Sequence, residues 1–485
     1  MAGQVLASPT YALTPSSERT PTAQNYIVNF DFLNQYLPDT YEKEFERYGN
    51  RTISSFLRMV GAEMPTNSDL IKWAEQGRLH TKYTSVGTTA ILNADTATFQ
   101  VNDTLDPTTA EQVIRIGQTV VIVQNDGSGV NKAVVTAVDN AAGGAGQFTV
   151  AFYEAGGLVT AGTGFGNADV TVFIYGSEFK KGTAGMVGSL EANDFIFENK
   201  PIILKDTYTV NGSDMAQIGW VEVTTEDGAT GYLWYLKSEH ETRLRFDDYL
   251  ETAMIEAVPA ETNSGAAAAL GSSGAAANPG AGSDGIFYAV TQRGNIWDGG
   301  NPTTLADFDS IISRLDKQGA IEENVLFIDR QFSFDIDDML AAQNSYGAGG
   351  TSYGLFDNDE EMALNLGFSG FRRGYDFYKT DWKYLNDPTM RGGLPSGANS
   401  GKINGLLVPA GSTTVYDQIL GKNAKRPFLH VRYRASETED RRYKTWITGS
   451  AGGAATSDID NMQVNFLSER AVCTLGANNF FLFQD

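Results

Sequence analysis

Apolar positions change their period several times along this chain, and each change marks a different kind of element. In DTYEKEFERYGNRTISSFLRMVG (39–61), Tyr41, Phe45 and Tyr48, then Ile53, Phe56, Leu57 and Val60, recur at helical spacing. Gly49-Asn50 between the two sets predicts two helices rather than one. SDLIKWAEQGRLH (68–80) opens on Ser68, a residue suited to an N-cap, and predicts a further short amphipathic helix. From about 84 to 180 the period falls to two: RIGQTVVIVQ (115–124), KAVVTAVD (132–139), QFTVAFYE (147–154) and DVTVFIYG (169–176) predict four strands joined by glycine-rich turns. Phe148, Val150 and Phe152 share one face, and the spacing predicts a small all-β barrel or sandwich over about 85–175.

Beyond the barrel, NKPIILKDTYTVNGSDMAQIGWVEV (199–223) reads as extended chain. YLWYLKSEHETRLRFDDYLETAMIEAV (232–258) predicts the longest helix, with Leu250, Met254 and Val258 on one stripe and Pro259 ending it. The Gly/Ala/Ser stretch 260–285 predicts a flexible loop. Leu305, Phe308, Ile312 and Leu315 make one face of a helix within 301–319, with Thr304 three residues before Asp307 as a capping signature and Gly319 as its stop. NVLFID (324–329) predicts a buried strand, QFSFDIDDMLAAQN (331–344) a helix and GLLVPAG (405–411) another strand. The chain closes on SERAVCTLGANNFFLFQD (468–485), where Ala471, Cys473 and Leu475 alternate with Val472 and Thr474. Phe480, Phe481, Leu482 and Phe483 form an apolar end that must be pinned into a sheet or against a partner, since exposed it would aggregate.

Composition narrows the function classes. The 485 residues are 41% hydrophobic and 20% charged, which predicts a folded protein of several domains. A net charge of −23 opposes wrapping by nucleic acid, whose phosphates would be repelled. One cysteine, Cys473, excludes an intramolecular disulfide and any CxxC metal site, and its apolar strand makes it a buried small hydrophobe. The start shows no basic-then-apolar leader, and no run of about 18 apolar residues follows, so the expectation is a protein made in a cytoplasm and working without a membrane.

Candidate chemistry is sparse. His80, His240 and His430 match no metal-ligand spacing, and no HExxH, P-loop or GxSxG motif occurs. GTGFG (162–166) is not a dinucleotide fingerprint, and Ser177 with Lys180 matches SxxK without opening a helix. The acid clusters FDIDD (334–338) and FDNDEE (356–361) lack the spacing of a calcium loop, and read as solvated acids. Asp335 and Asp337, as the carboxylate pair of a hydrolase, would stand two residues apart on a helix and face different ways. One segment reverses the chain's charge: Lys422, Lys425, Arg426, Arg432, Arg434, Arg441, Arg442 and Lys444 lie among Phe428, Tyr433, Tyr443 and Trp446. Nucleic-acid binding is one reading of it, and a self-association surface whose arginines meet carboxylates of a neighbouring copy is the preferred one.

The strings YGSEFKKG, IILKDTYTVNGSDMAQIGWVEV, ETRLRFDDYLETAM and DNMQVNFLSERAVCTLGANNFFLF give the chain a resemblance. It resembles the major capsid proteins of tailed double-stranded-DNA phages, particularly those of crAss-like gut phages. The resemblance implies an α+β fold. Residues 1–38 would be an N-terminal arm, and 39–80 helices of a peripheral domain. Residues 81–200 would be an E-loop region carrying the inserted barrel. Residues 201–259 would be peripheral domain with a spine helix, 260–285 a loop, 286–415 an axial α/β domain, and 416–485 a return to the peripheral domain in C-terminal strands. It implies no catalysis and no cofactor. It also implies hexamers and pentamers of an icosahedral shell in the virion, assembled in the host cytoplasm. Expected partners are scaffolding, portal and capsid-decorating or auxiliary head proteins, with DNA enclosed without sequence-specific contact. The alternative reading is a non-catalytic β-rich surface or carbohydrate-binding protein, suggested by the Gly/Thr/Asn-rich strands of 85–175.

Overall fold

The computed structural model describes residues 62–484, apart from 102–111, 140–145, 157–169, 190–193, 218–221, 225–229, 271–280, 345–369, 396–400, 418–421 and some isolated positions. The arm expected over 1–38, the two helices expected over 39–61, and the acids of 356–361 lie outside the described residues.

A fourteen-residue strand, Asn461–Thr474, is the axis of a five-stranded sheet. Ile202–Asn211 runs antiparallel along one side of it, from Ile202 opposite Arg470 to Asn211 opposite Asn461. Two shorter strands share the other side: Lys444–Gly449 pairs with residues 462–467, and Leu429–Arg434 with 470–474. Ala62–Thr66 adds in parallel outside Leu429–Arg434. The predicted long helix is present as Leu233–Glu256, 24 residues and therefore about 36 Å. Its Phe246 and Leu250 pack on Val464 and Phe466, with the Phe246 and Phe466 rings 5.8 Å apart. Val258 departs from expectation. It lies past the helix end and is 58% exposed, because the apolar stripe stops where the helix leaves the sheet.

The chain end also departs from expectation. Phe481–Gln484 does not join the sheet that contains Asn461–Thr474. It is an inner strand of a six-stranded mixed sheet, parallel to Asn295–Asp298 and antiparallel to Ile403–Pro409. Glu323–Ile328, Tyr375–Asp381 and Gly370–Arg373 complete that sheet. The reason is burial on both faces. Phe480 and Leu482 join a cluster with Phe287, Val290, Leu406 and Val408, while Phe481 and Phe483 face Phe332, Leu407 and the helices Leu305–Gln318 and Arg330–Asn344. An apolar run without alternation suits only a strand covered on two sides, and the six-stranded sheet provides this. The first cluster also takes in Met254, Ile255, Leu429, Val431 and Val472, so one core joins both sheets.

Local signals in this half are read correctly. Thr304 Oγ1 accepts from the Asp307 N–H at 3.3 Å and Asp307 Oδ2 accepts from the Thr304 N–H at 3.0 Å, a complete capping box. Gly319 takes φ 75°, a left-handed stop that glycine adopts at least cost. The loop expected over 260–285 holds a short helix at Gly265–Leu270. At its end Gly285 lies against the exit of the long helix. Its N–H donates to the Ala257 carbonyl at 2.8 Å, where a Cβ would stand 2.6 Å from the same oxygen.

Residues 82–177 close into a six-stranded antiparallel barrel. Gln118–Gln124, Val130–Asp139, Gln147–Phe152 and Val170–Ser177 correspond to the four predicted strands, and Lys82–Asn93 and Thr96–Val101 add two more. Val86, Phe99, Val120, Ile122, Val135, Phe148, Val150 and Val172 fill the interior, and Phe99 stacks on its cross-strand partner Phe148 at 5.7 Å. Closure removes free strand edges, which an isolated sheet of this size would expose. The barrel connects to the rest through a two-stranded ribbon, Ile71–Gln76 with Asp194–Asn199. The helix expected over 68–80 is therefore a strand. Ile71 is buried and alternate residues are exposed, and Ser68 Oγ accepts from Leu70 N–H in a turn instead of capping a helix. Its partner strand lies about 120 residues away, beyond the reach of a local signal. Asn199 pins the ribbon: its Nδ2 donates to the Val472 carbonyl at 2.6 Å and its Oδ1 accepts from Ser283 Oγ at 2.9 Å.

Candidate functional site

Two surfaces stand out, one apolar and one charged. The ribbon strand DFIFEN (194–199) is covered at one end, where Arg293 lies 4.3 Å from the Phe197 ring centroid and 5.5 Å from that of Trp73. Further along, Phe195 is 53% and Ile196 68% exposed. Consecutive strand residues point to opposite faces, so both faces of the ribbon carry a bare large apolar side chain. Sequence reading passed over these two residues. The apolar triplet Phe195-Ile196-Phe197 between Asp194 and Glu198 was their only signal.

The basic segment does not form one patch. Arg426 is buried beside the Met64 sulfur, and loss of water, with Arg432 nearby, lowers its pKa. Arg432 is half-buried in the strand Leu429–Arg434. Four others meet carboxylates of the same chain: Arg434 with Asp69 at 2.5 Å, Arg441 with Glu469 at 2.8 Å, Lys444 with Glu439 at 2.8 Å, and Arg442 with Glu63. Arg442 also stands over the Tyr433 ring, 5.6 Å from its centroid. The side chains of Lys422 and Lys425, in the hairpin strand Lys422–Pro427, lie outside the described residues. Glu63 further accepts from Arg470, whose side chain is 8% exposed and which also donates to Ser468 Oγ and to the Arg442 carbonyl. The carboxylates Glu63 and Asp69 come from the opposite end of the chain, so spacing alone could not have indicated them.

Beneath this charged edge His430 faces Cys473 across the sheet. Both are buried and neutral. Burial pushes the Cys473 thiol up to about 12, which makes it a hydrophobe and not a nucleophile. Burial pulls His430 down from 6.5 to about 4; the Pro427 carbonyl, 3.2 Å from Nδ1, opposes this and Arg432 and Arg426 add to it. Between these values the unfolded chain binds a proton that the folded chain does not. The contribution of His430 is therefore complete above pH 6.5 and falls by up to about 3 kcal/mol as pH drops towards 4. Denaturant titration should show this slope, and His430→Gln should remove it; an equal slope in the variant would disprove the assignment.

The remaining candidates are dispersed. Asp335, partly exposed, accepts from Asn301 and Gln331, and Asp338 is exposed, as expected of solvated acids. Asp337 departs by pairing with Lys379 at 2.5 Å in a nearly dry setting, so Asp335 and Asp337 serve different partners. His80 and His240 are exposed and distant in sequence from His430. Among the described residues no three His, Cys, Asp or Glu side chains gather as a metal site, and no helix is long and apolar enough to cross a membrane.

No protein-family model matches this chain, and no curated protein matches it in sequence. Its fold is similar to solved structures at low scores. One is from Microbacterium phage Oxtober96, with a TM-score of 0.39 and 10% identity over 94% of this chain and 97% of that one. Another is the Cyanophage Pam1 capsid asymmetric unit, with a TM-score of 0.36 and 11% identity over 64% of this chain and 82% of that one. A third is the holo-SrpI encapsulin complex from Synechococcus elongatus, with a TM-score of 0.30 and 12% identity over 60% and 77%. Likeness at this level carries no statement of role, which rests on the residues themselves.

Proposed function

We infer that this chain is the major structural subunit of an icosahedral phage head, assembling into hexameric and pentameric capsomers that enclose double-stranded DNA. The observation that carries the reading is the two-sided apolar ribbon. A strand with Phe195 bare on one face and Ile196 on the other cannot be covered by one packing layer of its own chain, and a second copy can cover it. The ribbon strand Asp194–Asn199, which carries both bare residues, falls within the 81–200 region that the sequence resemblance assigns to an E-loop. The helix Leu233–Glu256 falls within the 201–259 region to which it assigns a spine helix. Residues 286–415 would be the axial domain. Scaffolding, portal and decorating proteins would be partners, and DNA would be enclosed by a negatively charged lining without base-specific contact. The site of action would be the virion shell, assembled in the host cytoplasm. The basic residues between 422 and 444 would contact neighbours through those that keep exposed faces, Arg442 first, at 54% exposure.

Light scattering and negative-stain microscopy of the purified full chain, alone and co-expressed with a scaffold, test this. Closed shells, tubes or rings of five and six are expected. The double substitution Phe195→Ser with Ile196→Ser should abolish them while moving the stability of the subunit by less than about 1 kcal/mol, because both side chains are exposed. A wild-type chain that stays monomeric in every condition would sink the proposal.

A further inference from the structure

We propose that the outer wall of the barrel carries a binding groove for neutral saccharides, built on Tyr153 and Tyr175. The groove has a volume of ≈ 760 Å³ and opens to solvent across the outer face of Val130–Asp139, Gln118–Gln124 and Val170–Ser177, with Thr119 of the middle strand in its lining. Period-2 alternation separates it from the barrel core: Phe152 and Ile174 pack inward, and the next residues, Tyr153 and Tyr175, point out at 49% and 48% exposure. Removing the two tyrosines therefore leaves the barrel interior intact.

Both rings are held in place. The Tyr153 hydroxyl donates to Glu178 Oε2 at 2.5 Å, and the Lys132 ammonium stands 5.8 Å from the Tyr175 ring centroid. Backbone bonds fix the supports: Tyr153 N–H donates to the Lys132 carbonyl at 3.2 Å, and Glu178 N–H to the Gly117 carbonyl at 2.9 Å. Asn131 and Glu154 complete the lining with an amide and a carboxylate. Positioned aromatic rings beside carboxylates, an amide and an ammonium match a sugar, whose C–H face covers a ring while its hydroxyls both donate and accept. A protein partner would instead require a pocket that desolvates an anchoring side chain, and this groove is open and polar. Its two glutamates against one lysine, on a barrel segment (85–175) with eight acids and two bases, oppose nucleic acid and acidic glycans. The groove needs no second copy of the chain, so it stands apart from the shell reading.

The test is a printed array of neutral and acidic oligosaccharides probed with the labelled full-length protein. Binding to a subset of the neutral sugars is expected. The double variant Tyr153→Ser with Tyr175→Ser should keep the circular dichroism spectrum and lose that binding about tenfold or more. Glu178→Gln, an exposed single change that weakens the hold on Tyr153, should reduce it about threefold and serves if the double variant misfolds. Binding to none of the neutral sugars, binding to acidic glycans only, or binding unchanged in the variants would overturn the proposal. Each result is read in the same way from subunits or from shells.

Discussion

Deleting residues 480–485 is expected to leave the chain unable to fold, and Phe481→Ala alone to cost about 3–5 kcal/mol. Phe480, Phe481 and Phe483 are fully buried and Leu482 is 1% exposed. Each such side chain contributes roughly 1.5–3 kcal/mol through burial, so losing four approaches the 5–15 kcal/mol that separates folded from unfolded domains. The deletion also removes an inner strand, which exposes the edges of Asn295–Asp298 and Ile403–Pro409. Denaturant midpoints measure the point mutant, and the soluble yield measures the deletion. Were the tail a docking segment for a neighbour, the truncated chain would remain a folded monomer and lose only assembly. A soluble, cooperatively melting truncation would therefore contradict the strand seen here.

Glu63→Gln is expected to cost about 3 kcal/mol, whereas Arg442→Ala should cost less than about 1 kcal/mol. The difference lies in which cation is dry. Arg442 is 54% exposed and can return to water when its carboxylate is lost. Arg470 is 8% exposed and keeps its charge in the sheet, with Ser468 and the Arg442 carbonyl as neutral acceptors. Neutralising Glu63 therefore leaves a buried guanidinium without this carboxylate. Equilibrium unfolding of the two single variants, with the double variant to complete the cycle, measures the effect. Equal small losses in both would show that the Glu63 cluster behaves as a surface ion pair.

The barrel strands, the capping box at Thr304 and the stop at Gly319 were legible because each depends on residues within a few positions of one another. Ser68 shows the limit. It has the chemistry of a cap, yet the same hydroxyl satisfies a turn, and the segment after it became a strand once Asp194–Asn199 supplied an edge to pair with. The basic residues of 422–444 were visible as charge, but their meaning changed when Glu63 and Asp69 arrived beside them. The bare ribbon residues went unnoticed because Phe195 and Ile196 resemble core residues until their exposure is known.

The sequence by itself determined the four barrel strands between 115 and 176, the helices within 232–258, 301–319 and 331–344, that 85–175 forms a β unit of its own, and that the apolar end had to be buried. Those outcomes follow from side-chain period, turn chemistry and the cost of leaving apolar surface in water. Only the tertiary structure decided that Phe481–Gln484 lies between Asn295–Asp298 and Ile403–Pro409, that Ala62–Thr66 joins Leu429–Arg434 at the edge of the sheet built on Asn461–Thr474, and that four of the eight basic residues find their counter-charges within their own subunit. Strand pairing and ion pairing join groups hundreds of residues apart. Every strand edge and every carboxylate of suitable shape competes for them, and the choice falls to the arrangement that buries the most apolar surface on both faces at once.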